Sequence, residues 1–193
     1  MLHLLKFSGA REVAGHLLGN YLAQAILKLE AHVGCELLVI PVPLFGARER
    51  SRGFNQSKLL AEAAVKRLRS LRRGWKLKIE TKSLVRLKDT RALFTMQPHQ
   101  RRKNLRGAFR ILDAEAIRGR EVLLIDDIMT TGATARECAR VLLRAGAAKV
   151  WVATVAKAQP ESVKVLRADR FGEEMVARWD SVPVQRTEAQ ASF

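Results

Sequence analysis

The segment VLLIDDIMTTGAT, at residues 122–134, constrains the fold of this 193-residue chain more strongly than any other. Its aliphatic start, residues 122–125, predicts a strand that is buried on both faces of a parallel sheet. Asp126 and Asp127 follow directly, and burying two adjacent carboxylates in that core would be costly. We therefore expect both side chains to face a cleft, a cation or hydroxyl donors at the carboxyl end of the strand.

A turn rich in hydroxyl groups follows the acidic pair and leads into a helix, because apolar residues then recur at helical spacing from Ala135 to Leu143. The first N–H groups of a helix have no internal partners and favour an anion such as phosphate. Gly132 allows close approach of the backbone to a ligand. The pattern predicts a ligand with hydroxyl groups or a metal at one end and a phosphate at the other. The alternative is a capped helix with no ligand, since Thr and Asp are ordinary caps.

Residues 122–134 resemble the phosphoribosyl pyrophosphate (PRPP) fingerprint of the type I phosphoribosyltransferases. The resemblance implies that Asp126 and Asp127 are catalytic and hold the ribose hydroxyls, directly or through Mg²⁺. It also implies an α/β fold, with a mostly parallel central sheet flanked by helices and a flexible lid loop. The 5′-phosphate would be bound by the turn that follows, at Thr130, Thr131, Gly132, Ala133 and Thr134.

A second motif, VIPVPLFGARERSRGFNQ, occupies residues 39–56. Proline should end the strand, and the arginine-rich loop after it is well placed for a second phosphate group. PVP followed by a basic loop and RGFNQ resembles the ComF family (competence protein F). The resemblance implies a pyrophosphate loop at Pro43, Arg48, Arg50 and Arg52. Alternatively, Phe54 is a hydrophobic staple and Asn55 a helix cap, and this can hold even if Arg52 binds pyrophosphate.

The third motif is a long polar connection, residues 86–109, which is typical of a functional lid. The resemblance to ComF implies that it closes over PRPP and shields the reacting centre from water. We expect Arg102 to be catalytic and Arg101, Lys103 and Asn104 to act in the lid. His99 is either a general base or an exposed loop histidine. The ComF order of residues is followed at Arg86, Thr90, Gln97, Arg102, Asn104, Gly107, Ala108 and Phe109.

The rest of the chain alternates between helical and strand patterns. Helices are predicted over residues 10–30 and 56–71, and strands over residues 36–43, 83–87, 108–112 and 149–158. Such alternation favours a largely parallel sheet with ligands at the carboxyl ends of its strands. We expect one domain, residues 1–193, with its core at 36–156, a helical hood at 1–35 and a C-terminal extension at 157–193 that we assign no role.

The formal net charge of +16 indicates that the chain binds a polyanion. PRPP accounts for part of it, but the basic segment KRLRSLRRGWKLK, residues 66–78, lies at a predicted helix end and in the connection after it. Two interpretations stay open. The segment is either a solvated helix face, favoured by the helix dipole, or a nucleic-acid contact made through Arg69, Arg72 and Arg73.

Neither a membrane span nor a signal peptide is expected, so the predicted location is cytoplasmic. Cys35 and Cys138 are expected to be reduced thiols in or near the core, since neither has metal-ligand spacing around it. ComF proteins commonly begin with a cysteine-rich zinc-binding segment. This chain has no CxxC pair, so we predict no zinc site of that type.

Two functions fit these motifs. The first is an enzyme that uses PRPP and Mg²⁺ to transfer phosphoribosyl to an unidentified base or amine. The second is a non-enzymatic module that binds a nucleotide or single-stranded DNA and assists DNA uptake in natural transformation, with competence proteins or a second copy of the chain as partners. No recognisable acceptor pocket is visible in residues 1–35 and 157–193, which favours the second function.

Overall fold

The computed structural model describes residues 11–89, 105–129, 131–157, 165–168 and 175–177. Helices and strands alternate along most of this part of the chain. In chain order the elements are α1 (Arg11–Leu27), β1 (Glu36–Pro41), α2 (Gly46–Arg52), α3 (Gln56–Leu71), β2 (Lys76–Ile79), β3 (Leu84–Arg86), β4 (Phe109–Ile111), β5 (Glu121–Met129), α4 (Ala133–Arg144), β6 (Lys149–Lys157), β7 (Val165–Ala168) and β8 (Met175–Ala177).

The main sheet has the strand order β2-β1-β5-β6-β7-β8. Its first four strands are parallel, with Ile40 of β1 opposite Leu124 of β5 and Leu124 opposite Val152 of β6. The strands β7 and β8 continue the sheet in antiparallel fashion. The predicted α/β architecture with a mostly parallel sheet is confirmed.

The two faces of the sheet carry separate cores because side chains alternate along each strand. Leu123 and Ile125 of β5 pack on the face covered by α1 and α3, where Leu22 and Leu60 are also buried. Leu124 packs on the opposite face, together with residues of α4. A strand buried on both sides needs an unbroken aliphatic run, and this explains the start of the motif at residues 122–134.

Three local features differ from the sequence-based expectations. The strand β5 does not end before the acidic pair but continues to Met129, still paired with β6. The arginine-rich segment after β1 is the short helix α2 rather than a loop, ended by Gly53 at φ 76° with its N–H donated to the carbonyl of Glu49. The sequence predicted a connection at the end of residues 66–78. The structure has the strand β2 there, in which Leu77 is buried and the lysines on either side of it are exposed.

The strands expected near residues 83–87 and 108–112 are present as β3 and β4, but they form a separate antiparallel pair. Cys138 is buried as expected, whereas the prediction for Cys35 was wrong, because Cys35 is exposed. Among the described residues, no helix is long and apolar enough to cross a membrane. The expected division of the chain into core, hood and extension stays a prediction.

Candidate functional site at the carboxyl edge of the sheet

The acidic pair lies where several elements meet at the carboxyl end of β5. The backbone N–H of Val42, just after β1, donates to the carbonyl of Ile125 at 2.8 Å. Asn55 Nδ2 donates to the carbonyl of Val42 at 3.0 Å, which holds the start of α3 against the end of β1. The side chain of Asn55 also accepts the N–H of Lys58, so its predicted role as a helix cap is confirmed. These contacts form one wall of the site.

Asp126 is a buried carboxyl with two donors from the protein. Its Oδ1 atom accepts the hydroxyl of Ser57 at 3.3 Å and the backbone N–H of Asp127 at 2.9 Å. Burial raises the pKa of Asp126 to about 7, and the neighbouring carboxylate of Asp127 adds to that rise. Of the surroundings expected for the acidic pair, the structure thus shows a hydroxyl donor at Asp126, the side chain of Ser57. Ser57 directly follows RGFNQ and was not predicted as a site residue.

Asp127 is in a different environment although it is the next residue. Its side chain is only half-buried, and its Oδ1 atom accepts the N–H of Ile128 at 2.8 Å. The pair thus combines a buried carboxyl that is held by the protein with a more accessible carboxylate. Among the described residues, no group of three or more His, Cys, Asp or Glu side chains is placed to hold a metal ion.

The turn after β5 supplies backbone groups at the start of α4. Gly132 is the N-cap at φ 70°, a left-handed conformation that favours glycine, and it offers no side chain to occupy the first N–H groups of the helix. The Arg136 guanidinium donates to the carbonyl of Thr131, a contact the sequence did not predict. Ala133 is buried and Thr134 half-buried in the first turn. Thr130 lies outside the described residues.

The predicted pyrophosphate arginines lie on α2. Arg48 is half-buried, with its Nε atom 3.8 Å from Asp89 Oδ1, whereas Arg50 and Arg52 are exposed. Pro43, half-buried, lies between β1 and α2. In the helix α2, Arg48 and Arg52 are four residues apart and lie on the same face, whereas Arg50 lies on a different face.

Arg86, at the end of β3, is a basic residue of the site that the sequence placed only in the lid motif. Its guanidinium lies 5.4 Å from the centre of the Phe109 ring, and its Nε atom donates to the carbonyl of Lys88 at 3.3 Å. Burial lowers the pKa of Arg86, nearby Arg48 lowers it further, and the Asp126 carboxyl opposes both effects. Arg86 and Arg48 are thus two cations close enough to repel each other beside the buried carboxyl.

The base of the predicted lid is fixed to the rest of the site. The N–H of Leu87 donates to the carbonyl of Ala108 at 2.8 Å, so the two ends of the connection lie side by side. Glu137 of α4 accepts the N–H of Gly107 at 2.8 Å and is paired with Arg140 at 2.6 Å. The lid base is thereby joined to α4, the helix that Gly132 caps. His99 lies outside the described residues. So do the four lid candidates, which are Arg101, Arg102, Lys103 and Asn104.

The basic segment of residues 66–78 lies far from this site, near the amino ends of the strands. Arg69 donates to the carbonyl of Leu77 at 2.5 Å, and Arg72 forms an ion pair with Glu30 at 2.7 Å. Arg73 is exposed. Of the three arginines proposed to contact nucleic acid, Arg69 and Arg72 therefore already bind other groups of the protein.

A phosphoribosyl transferase domain family model matches residues 22–189, and the chain belongs to this family. Together with the parallel sheet, this establishes the type I phosphoribosyltransferase fold. The chain is 36% identical over 154 residues to DNA utilization protein YhgH of Escherichia coli O157:H7, covering 79% of this chain and 63% of that protein.

Two further relatives carry competence names. Competence protein F of Haemophilus influenzae is 31% identical over 121 residues, which are 62% of this chain and 50% of that protein. Competence protein ComFC of Bacillus subtilis is 32% identical over 111 residues, which are 58% and 40%. The predicted ComF family is confirmed. The chain spans less than two thirds of the length of these relatives.

Proposed function

We propose that the chain binds PRPP or a related phosphoribosyl ligand at the carboxyl edge of the sheet, together with Mg²⁺, and transfers phosphoribosyl to an acceptor still to be identified. The observation that carries the proposal is the unequal acidic pair, which precedes a glycine-capped helix start and lies beside Arg86. Carboxylates accept hydrogen bonds from ribose hydroxyls, and helix N–H groups suit a phosphate. The family to which the chain belongs supports this choice of ligand.

The acidic pair fits a magnesium ion of the kind that phosphate ligands bring with them. Mg²⁺ usually keeps several waters and binds through one or two carboxylates and substrate phosphates rather than in an all-protein cage. Asp127, the more accessible carboxylate, would hold the ion, with Asp126 beside it. When bound, Mg²⁺ would neutralise charge on the pyrophosphate oxygens.

The protein's own groups would act on the two ends of the ligand. Asp126 and Asp127 would hold the ribose, and the turn at Thr131 and Gly132 would hold the 5′-phosphate. Arg86 and Arg48 would bind pyrophosphate, since an anion between them would relieve their mutual repulsion. An acceptor nitrogen would attack the anomeric carbon while pyrophosphate leaves. The arginines would stabilise the charge that develops on this leaving group.

Calorimetry with PRPP and Mg²⁺ tests the ligand. The wild-type chain should bind, and the double variant Asp126→Asn with Asp127→Asn should lose most of the binding. Asp113→Asn, an exposed aspartate outside the site, is the matched control and should bind as the wild type does. An absence of binding to the wild type, or equal binding by the double variant, would contradict the proposal. Release of pyrophosphate on addition of candidate acceptors then tests the transfer step.

A second candidate function is favoured by the net charge of +16, which exceeds what a PRPP site requires. In this function the chain binds a nucleotide or single-stranded DNA and assists DNA uptake, with competence proteins or a second copy of the chain as partners. The names of the relatives, DNA utilization protein and competence protein, support it. Binding of single-stranded DNA that weakens steeply with salt is the expected result. Binding that is undetectable at low salt would contradict it.

A further inference from the structure

A groove of about 850 Å³ lies at the edge of the sheet opposite the acidic pair. It is bordered by the first residues of three parallel strands: Glu36 of β1, Lys76 of β2 and Glu121 of β5. Asp126 and the start of α4 lie at the other ends of these strands. The groove is therefore a separate place on the molecule, and the phosphoribosyl function does not use it.

Basic side chains dominate the lining of this groove. Arg69, Arg73, Lys76, Lys78 and Arg120 face two carboxylates, Glu36 and Glu121. Lys76 is paired with Glu36 at 2.5 Å, and Glu121 is paired at 2.8 Å with Lys149, which is not among the lining residues. Within the part of the chain that the structure describes, the remaining cations, Arg73, Lys78 and Arg120, form no close ion pair; Glu36 attracts Arg120 and Glu80 attracts Lys78 only at longer range. Three cations are thus available to a ligand.

The groove is held in shape by hydrogen bonds across its walls. The N–H of Lys76 donates to the carbonyl of Cys35 at 2.7 Å, and the N–H of Gly34 donates to Glu121 Oε2 at 3.1 Å. The guanidinium of Arg69 donates to the carbonyl of Leu77 at 2.5 Å, which fixes the end of α3 against β2. The cations therefore extend from an ordered framework, and ordering them on binding costs little backbone entropy.

An aromatic ring lies among these cations. Trp75 lines the groove, is half-buried and packs partly against the hydrophobic core. Cations alone suit any polyanion, whereas an aromatic ring between cations suits a ligand that has both phosphates and unstacked bases. A duplex hides the faces of its bases inside the helix, so it offers nothing for the ring to stack on. The combination distinguishes a single strand from a duplex.

We infer that this groove is the surface that binds single-stranded nucleic acid, with Arg73, Lys78 and Arg120 on the phosphates and Trp75 stacked on a base. The inference rests on the second candidate function and assigns it a site. It revises the arginines chosen from the sequence. Arg73 remains, Arg69 supports the wall, and Arg72 is replaced because it is paired with Glu30 outside the groove.

The test measures binding of a labelled oligothymidylate by fluorescence anisotropy over a salt series. Trp75→Ala should weaken binding about tenfold, whereas Trp75→Phe, which keeps a stacking ring, should retain most of it. Lys78→Glu and Arg120→Glu should each weaken binding and lower the salt slope by about 0.7 or more per lost phosphate contact. Arg110→Glu, an exposed residue of β4 with the same change of charge, is the matched control and should leave the slope almost unchanged.

Each outcome bears on a different claim. If the wild type binds no oligothymidylate at low salt, the DNA-binding function fails together with the groove. If the wild type binds but Trp75→Ala and Lys78→Glu bind equally well, or Arg110→Glu weakens binding as much, the groove assignment alone is overturned. A duplex of the same length that binds as tightly as the single strand would also overturn it. Calorimetry with PRPP on the groove variants should match the wild type, because that proposed site lies at the other edge of the sheet.

Discussion

At the scale of single residues, the unequal environments of Asp126 and Asp127 are the most informative property of the site. Asp126 is buried, and its pKa is raised from an ordinary value of 3.8 to about 7. Between these two values the unfolded chain loses the proton that the folded chain keeps. The free energy of unfolding therefore falls as the pH rises through this window. Above about pH 7 the free energy of unfolding of the wild type is lowered by the full cost of ionising the buried Asp126 carboxyl.

Asp126→Asn should remove the pH-dependent penalty, because an amide oxygen can still accept the Ser57 hydroxyl and carries no charge. We expect the variant to gain stability relative to the wild type as the pH rises from about 5 to about 8, by at most about 3 kcal/mol. Thermal unfolding at both pH values measures the gain. Asp113→Asn is the control. A difference between variant and wild type that is the same at both pH values would contradict the buried, protonated state of Asp126.

Arg86 allows a second prediction at this scale. Its guanidinium lies beside Arg48 and the Phe109 ring, where charge-assisted hydrogen bonds to a phosphate would be strong. Arg86→Met keeps much of the apolar contact with Phe109 but removes the charge. We expect binding of PRPP with Mg²⁺ to weaken by about 10- to 100-fold. Arg110→Met on the neighbouring strand should bind as the wild type does. Calorimetry that finds both variants equal would exclude Arg86 from the ligand site.

At the scale of elements, the contact between α1 and α3 depends on Gly19. A Cβ atom at Gly19 would overlap the Cβ atom of Ala63, so the two helices approach more closely than a larger side chain permits. Gly19→Val should lower the free energy of unfolding by about 1–3 kcal/mol through overpacking. Gly15, in the same helix, has no described atom within 4 Å of the equivalent position. Gly15→Ala is the control and should be neutral or stabilising by up to about 1 kcal/mol. Urea unfolding compares the two variants, and equal effects would contradict the close contact.

The same scale shows which parts of the fold could be predicted from sequence. Residues 122–125 predicted β5 because an aliphatic run has few alternatives to a buried strand. The continuation of β5 to Met129 was not predicted. Ser57, which is distant in sequence, donates a hydrogen bond to Asp126 and lowers the cost of burying it, and β5 continues to pair with β6 beyond Asp126. Neither contact can be read from residues 122–134 alone. The short strand β2 was not predicted, because its alternation of apolar and basic residues spans only four residues within a basic segment.

The candidate site was predictable only where it is local in sequence. Asp126, Gly132 and Ala133 form one continuous motif, so the chain order itself brings them together. Ser57 and Arg86 come from two other elements, α3 and β3, and their approach depends on how these elements meet the end of β5. Helical periodicity and residue type contain no information about such distances. The helical form of α2 was also missed, since its end depends on the left-handed backbone of Gly53.

At the scale of the whole molecule, the two proposed ligand sites lie at opposite edges of one sheet, and both attract anions. At low salt the net charge of +16 attracts PRPP and an oligonucleotide together, so each ligand should weaken the binding of the other through the shared field. Screening reduces the reach of that field to about 8 Å at about 0.15 M salt. Glu121 in the groove and Asp126 are five residues apart along β5, which is about 17 Å, so the two sites are separated by roughly twice that length.

We therefore expect apparent competition at low salt that disappears near about 0.15 M salt, where the coupling free energy between the two ligands should be close to zero. Calorimetric titration of PRPP with Mg²⁺, with and without saturating oligothymidylate at both salt concentrations, measures the coupling. The groove variant Lys78→Glu, which binds the oligonucleotide more weakly, should need a higher oligothymidylate concentration to produce the same effect at low salt. Competition that persists at about 0.15 M salt would mean that both ligands use one shared site. The separation of the two functions across the sheet would then be wrong.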